Sequence, residues 1–176
     1  MLALIIGTPD SGKSEEAERL AVQLADGGSL FYIATMIPFG SEGMKRVKRH
    51  RARRRGKGFV TVECPTRVHE LVKHIPDISG GTVLLECMSN LIANEMHEPE
   101  NIKSQVPVLS ESIVTSVLQL SKSTLNTVIV SNRFPLEDEG YDEDTIRYVN
   151  IIKAVNDSLS VEADRVININ TGDAGI

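Results

Sequence analysis

With 176 residues, 41% of them hydrophobic, the chain can bury a sizeable core without disulfides or a structural metal. Nineteen basic against 24 acidic residues give a net charge of -5, which argues against a general nucleic-acid binder. The only cysteines, Cys64 and Cys87, have neither the close pairing of a metal knuckle nor the density of a secreted scaffold. A reducing, cytoplasmic setting is therefore expected, with both thiols as small core residues.

The first element is the apolar run Leu2–Ile6, which predicts a buried strand. Pro9 and Asp10 interrupt it and no basic leader precedes it, so neither a signal peptide nor a membrane span is expected. Directly after it stands Gly7-Thr8-Pro9-Asp10-Ser11-Gly12-Lys13-Ser14, the spacing of a nucleotide-phosphate loop. Gly7 and Gly12 allow a tight turn whose N–H groups converge on phosphate oxygens at the positive end of the next helix. Lys13 supplies a mobile charge for the outer phosphates, and the Ser14 hydroxyl is a candidate Mg²⁺ ligand. A chance match in a glycine-rich turn is the alternative. The strand before the loop and the helix from Ser14 to Asp26, with Ala17, Leu20, Ala21 and Leu24 on one face, argue against chance.

A second strand is predicted at Leu30–Ala34. Beyond it the charge is unevenly placed, because nine basic residues fall between Lys45 and Lys57 and enclose a single histidine, His50. On a helix, Arg46, His50, Arg53 and Arg54 lie along one side. Arginine forks suit phosphate oxygens, and their positive field should hold the imidazole neutral and nucleophilic, able to attack a nucleotide α-phosphorus. A solvated basic face carrying an incidental histidine accounts for the same residues equally well.

Strands follow at Val60–Val62 and Val83–Leu85, each ending in a Glu-Cys dipeptide. Glu86 stands where phosphate-loop enzymes keep an acid to orient Mg²⁺ or its water shell, although an ordinary strand-end carboxylate fits too. Glu63 suits a guanine edge or a ribose, or a plain surface position. A helix is predicted from Val68 to Ile75, and His69, His74 and His97 are read as structural or solvated. Residues Met96 to Pro107 are read as a surface connection. Ile113, Val117 and Leu120 mark a helix, Thr127–Val130 a strand, and Ser131 to Glu143 a long loop rich in acids. Ile146, Val149, Ile152 and Leu159 mark the last helix, with Asp144 as its cap, before a strand at Arg165–Ile169.

This alternation, opened by a phosphate loop, predicts one domain over residues 1–176 with a P-loop NTPase-like three-layer α/β fold and a mostly parallel central sheet. Ligands of such sheets lie beyond the carboxyl ends of the strands, so the loops after Ala34, Val62, Leu85 and Val130 should ring the site.

Taken together, Gly7–Ser14, Tyr32-Ile33-Ala34-Thr35, Arg46-Val47-Lys48-Arg49-His50-Arg51, Thr61-Val62-Glu63 and Leu84-Leu85-Glu86-Cys87 with Asn94 resemble the bifunctional adenosylcobinamide kinase/adenosylcobinamide-phosphate guanylyltransferases of cobalamin assembly. The resemblance implies that Gly7–Ser14 holds a triphosphate, GTP or ATP, and that Ala34, Thr35 and Met36 line the nucleotide site. It implies that His50 becomes guanylylated and that Arg51, Ala52, Arg53, Arg54, Glu63 and Glu86 fall at positions contacting the guanine nucleotide. It further implies Mg²⁺, a corrinoid substrate and a homotrimer with the site near a subunit boundary. The chain departs from the family after the Thr127–Val130 strand, where Asn132-Arg133-Phe134-Pro135 replaces Asn-Glu-Val-Gly, and it lacks the Trp expected near Phe59. Two further readings remain open. One is a diverged small-molecule kinase or nucleotide-binding paralogue without guanylyl transfer, and the other is a module whose Lys45–Lys57 segment grips RNA.

Overall fold

In the computed structural model, which describes residues 1–134 and 140–169, the apolar runs become six short strands and the amphipathic segments become helices. The order is β1 (Leu2–Gly7), α1 (Lys13–Ala25), β2 (Leu30–Ala34), α2 (Gly40–Arg54), β3 (Val60–Glu63), α3 (Leu71–His74), β4 (Thr82–Glu86), α4 (Met88–His97), α5 (Val106–Lys122), β5 (Asn126–Asn132), α6 (Glu143–Glu162) and β6 (Arg165–Ile169). Every strand pairing among the described residues is parallel, and the sheet order is β3-β2-β4-β5-β1-β6. Parallel strands buried on both faces read as continuous apolar runs, and all six residues of β1 are buried.

Alternation along the strands separates two cores. Leu2, Leu4, Ile6, Phe31, Ile33, Val83, Leu85 and Ile129 point to the side covered by α4, α5 and α6. Ala3, Ile5, Leu30, Tyr32, Leu84, Val128 and Val130 point to the other side, where Ala17, Leu20 and Ala21 of α1 pack against them. The small alanines let α1 lie close to the sheet, so its N-terminus reaches the end of β1. Edge strand β3 is largely exposed, with Val60 at 56%.

The structure revises several boundaries. The helix expected from Val68 to Ile75 is a 3₁₀ turn at Val68–Glu70 followed by the single turn of α3, because Pro76 forces Ile75 into an extended conformation (φ -126°, ψ 91°). The connection expected over Met96 to Pro107 shrinks to residues 98–105. Met96 belongs to α4, and Pro107 sits in the first turn of α5, where its missing N–H costs nothing. The cap of α6 is Asp142, whose side chain accepts from the Thr145 N–H at 2.8 Å, and not Asp144. Ile146, expected on the core stripe, is 44% exposed, and Val149, Ile151, Ile152, Val155 and Leu159 carry that face instead. Of the acidic loop, Pro135, Glu137, Asp138 and Glu139 lie outside the described residues. Among the described residues, no helix is long and apolar enough to cross a membrane.

Candidate active site

The phosphate loop leaves β1 at Gly7 and enters α1 at Lys13. The two flanking glycines serve different purposes. Gly12 has a φ of +85°, in the left-handed region that favours glycine. Gly7 is needed for space: a Cβ there would lie 2.6 Å from the Ile169 carbonyl oxygen of β6 and 2.5 Å from Ser11 Oγ. The N-terminus of α1 has no side-chain cap, which suits a helix whose first-turn N–H groups serve an anion. Lys13 is buried, and its Nζ donates to the Thr8 carbonyl at 2.7 Å across the loop. Burial lowers its pKa, against the pull of Cys87, Asp10 and Glu86. Thr8 Oγ1 and Ser11 Oγ are buried without a hydrogen-bond partner, two polar groups turned in beneath the loop.

Three side chains from separate elements meet at one carboxylate oxygen. Glu86, at the end of β4 and buried, accepts from Ser14 Oγ at 2.5 Å through Oε1. His50 Nδ1, from α2, stands 3.5 Å from the same oxygen. Glu86 Oε2 is buried with no partner, an orphaned carboxylate oxygen beside the Ser14 hydroxyl. This donor pair fits a hard divalent cation that takes its remaining ligands from phosphates and water. Among the described residues no cluster of three or more His, Cys, Asp or Glu stands ready to hold a metal on its own.

The imidazolium of His50 is held below its ordinary value of 6.5, chiefly by burial. Glu86 opposes that shift, and Arg53 and Arg54 add to it. The arginine field expected from the sequence is thus present but secondary to desolvation. Both effects leave the ring neutral.

The rest of α2 and its tail pair with the sheet and with α1. Arg54 is buried with its guanidinium 3.3 Å above the centroid of the Tyr32 ring. That ring also meets Phe59 edge-on, with centroids 6.1 Å apart. Burial, with the charge of Glu86, raises the Tyr32 phenol, so it stays protonated. Arg51 Nη2 pairs with Glu63 Oε1 at 2.8 Å, an exposed pair that contributes little to stability. Glu18 of α1 is fully buried and accepts from Arg53 Nε at 2.9 Å and Lys57 Nζ at 2.7 Å.

These elements enclose a cavity of about 630 Å³ at the carboxyl ends of β1, β2 and β4. Of the residues expected from the sequence, Pro9, Asp10, Ser11, Gly12, Lys13, Ser14, Ala34, Met36, His50, Arg51, Arg53, Arg54, Glu63 and Glu86 line it. Gly7 and Thr8 lie outside the lining. Thr35 is buried, where its Oγ1 donates to the Cys87 carbonyl and accepts from the Cys87 N–H, both at 2.8 Å. Asn94 Nδ2 donates to the Thr35 carbonyl at 2.8 Å, so the two residues brace the ends of β2 and β4. Ala52 is exposed and outside the cavity, because it faces away from the side of α2 that carries His50. Cys87 packs against the core on the α1 side of the sheet, as expected, and also borders the cavity, and burial raises its thiol. The Cys64 thiol, which donates to the Thr66 carbonyl, is pushed up to about 11. His69 meets Ser116 Oγ at 2.8 Å, His97 meets the Ala93 carbonyl at 2.7 Å and His74 is exposed.

Sequence reasoning missed Glu18, Asn90 and the ring of Tyr32 as a cation's platform. For Glu18 a signal existed: it follows Ser14 by one helical turn and so shares its face. For Asn90 and Tyr32 nothing local pointed to the cavity.

An all-parallel sheet with a glycine-bounded phosphate loop after its first strand and a buried acid at the end of a neighbouring strand defines a P-loop nucleotide-binding protein. Solved structures agree on the fold. The ATPase domain of G40P matches with a TM-score of 0.56 at 11% identity, over 95% of this chain and 68% of that one. The flagellar accessory protein FlaH from Methanocaldococcus jannaschii matches with a TM-score of 0.50 at 14% identity, over 95% and 70%. The chain belongs to the cobinamide kinase / cobinamide phosphate guanyltransferase family, whose pattern matches residues 3–174. A curated relative, the bifunctional adenosylcobalamin biosynthesis protein CobP of Pseudomonas aeruginosa, is 27% identical over 168 residues, 94% of this chain and 91% of the relative.

Proposed function

We propose that the protein phosphorylates the aminopropanol hydroxyl of adenosylcobinamide and then passes GMP from GTP through His50 to the new phosphate, giving adenosylcobinamide-GDP. The observation that carries this reading is the convergence of His50 Nδ1 and Ser14 Oγ on Glu86 Oε1, which sets an uncharged imidazole over the phosphate loop. With Nδ1–H turned toward the carboxylate, Nε2 keeps its lone pair and is the nucleophile.

In the first reaction the substrate hydroxyl attacks a γ-phosphorus held by the loop. The bond to the β-phosphate oxygen breaks, the hydroxyl proton is released and the nucleoside diphosphate leaves. In the second, Nε2 forms a bond to the α-phosphorus of GTP as the α–β bridge breaks, and pyrophosphate leaves with the electron pair. An oxygen of the corrinoid phosphate then attacks that phosphorus, the N–P bond breaks, and the neutral ring is restored. Lys13 stabilises charge on the phosphoryl oxygens in both reactions, and the α2 arginines do so in the second. Ser14 and Glu86 would hold Mg²⁺, which would supply positive charge against the phosphoryl oxygens.

Purified protein incubated with adenosylcobinamide and each nucleotide is expected to show both phosphate transfer and, with GTP, GMP transfer. Phosphate transfer alone would instead establish a kinase without guanylyl transfer, and neither activity would remove this reading.

The environment of His50 also sets a pH dependence. Since the neutral ring reacts and burial lowers its pKa, kcat/KM for adduct formation should stay flat from about pH 8 to about pH 6.5 and fall only below. An inflection at or above about pH 7 in a rate profile would contradict that environment. The stability effect has a matching sign. The unfolded chain takes up this proton first, so the contribution of His50 to folding is present above pH 6.5 and is lost as the pH falls through its folded-state value.

A further inference from the structure

We propose that Glu18 is a positioning residue: by holding Arg53 and Lys57 at the tail of α2, it sets the placement of His50 over the phosphate loop. The inference rests on the reading of His50 as the nucleophile. None of the residues of α2 belongs to either apolar core, and only Gly43 and Arg54 of its fifteen residues are buried. A helix without an apolar face against the body has to be docked by other means. Its C-terminal end supplies them, through the stacking of Arg54 on Tyr32 and the pairing of Arg53 and Lys57 with Glu18.

Glu18 is the fixed side of that pairing. It projects from α1 one turn after Ser14, on the helix that the phosphate loop itself opens. Its two oxygens each accept one charge-assisted hydrogen bond, Oε1 from Arg53 and Oε2 from Lys57. A carboxylate fully out of water is tolerated only when so paired, and removing its charge leaves two cations without their anchor. Arg53 follows His50 by three residues, so it lies on the same side of α2 about one turn further on. The carboxylate thus ties the helix bearing the imidazole to the helix bearing the phosphate loop. The phosphate loop, Ser14 and Glu86 do not depend on it, so loss of the clamp should separate the two activities.

The test uses Glu18→Gln and Lys57→Gln in the full chain, with single-turnover GMP attachment, phosphate transfer to adenosylcobinamide and hydrogen exchange at the amides of residues 46–55 as readouts. In Glu18→Gln, GMP attachment is expected to fall about 100-fold, the cost of roughly an ångström of misplacement. Phosphate transfer should stay within about fivefold and α2 exchange should quicken. Lys57→Gln should move all three in the same direction by less, and the double variant should be no slower than Glu18→Gln, because the two residues act as one unit. Equal loss of both activities, GMP attachment at the parent rate, additive effects in the double variant or unchanged α2 exchange would each overturn the proposal. Should the parent protein form no GMP adduct, the functional reading fails by itself. The clamp is then decided by α2 exchange, quickened in support of it and unchanged against it.

Discussion

His50→Asn is expected to lose GMP attachment by on the order of 10⁴-fold or more, as removal of a covalent nucleophile does, and to keep phosphate transfer within about tenfold. Asparagine is chosen because its amide keeps a polar group on the side where His50 Nδ1 faces Glu86 at 3.5 Å. What it lacks is the second ring nitrogen with a free lone pair. His50 is only partly buried, with 28% of its side chain exposed, and it takes no part in either apolar core, so the fold should survive. The measurement is label retained on the protein after incubation with α-labelled GTP and Mg²⁺. Parent protein should carry label that is lost in acid and stable in base, as a phosphoramidate is, and the variant should carry none. Label persisting in the variant would reject His50 as the nucleophile.

Lys13→Ala is expected to lower both transfers together, each by roughly 10²- to 10³-fold, the usual cost of removing one donor that stabilises transition-state charge. The ammonium folds back on the Thr8 carbonyl and is buried within the loop, where it stands closest to the phosphate-binding turn. Its reduced pKa does not weaken the case, because a bound triphosphate would favour the charged form. The contrast with His50→Asn is the informative part. One residue belongs to the phosphate cradle used in both reactions, the other to a single step. Measured side by side under the same nucleotide concentrations, either transfer surviving Lys13→Ala at the parent rate would show that the loop serves only the other.

Much of the fold could be read before any coordinates. The inner strands β1, β4 and β5 fall on runs of consecutive Leu, Ile or Val, because a parallel sheet covered on both sides leaves no room there for alternation with polar residues. Helices were harder. Met88–His97 went unassigned because it begins two residues after β4, with no loop to separate its buried Met88, Leu91, Ile92 and Met96 from the strand. At α6 the acids Asp142, Glu143 and Asp144 all suit a helix start, and only the backbone shows which of them lies outside the first turn. The candidate site was legible by residue type, since loop, histidine and strand-end acid each carry a local pattern. Glu18 hid within an amphipathic helix as one more charged residue.

The sequence alone determined which groups are available: a phosphate loop after the first strand, a histidine among arginines, and two acids closing strands. These are local properties, set by spacing along the chain and by the backbone freedom of Gly12. Tertiary structure decided which of the groups meet. Ser14 and Glu86 are 72 residues apart in the chain yet share a hydrogen bond, because β4 ends and α1 begins at the same edge of the sheet. It also decided their electrostatics, since the main cause of the lowered His50 pKa is exclusion of water, which depends on what packs around a ring and leaves no mark on the residues beside it in the chain.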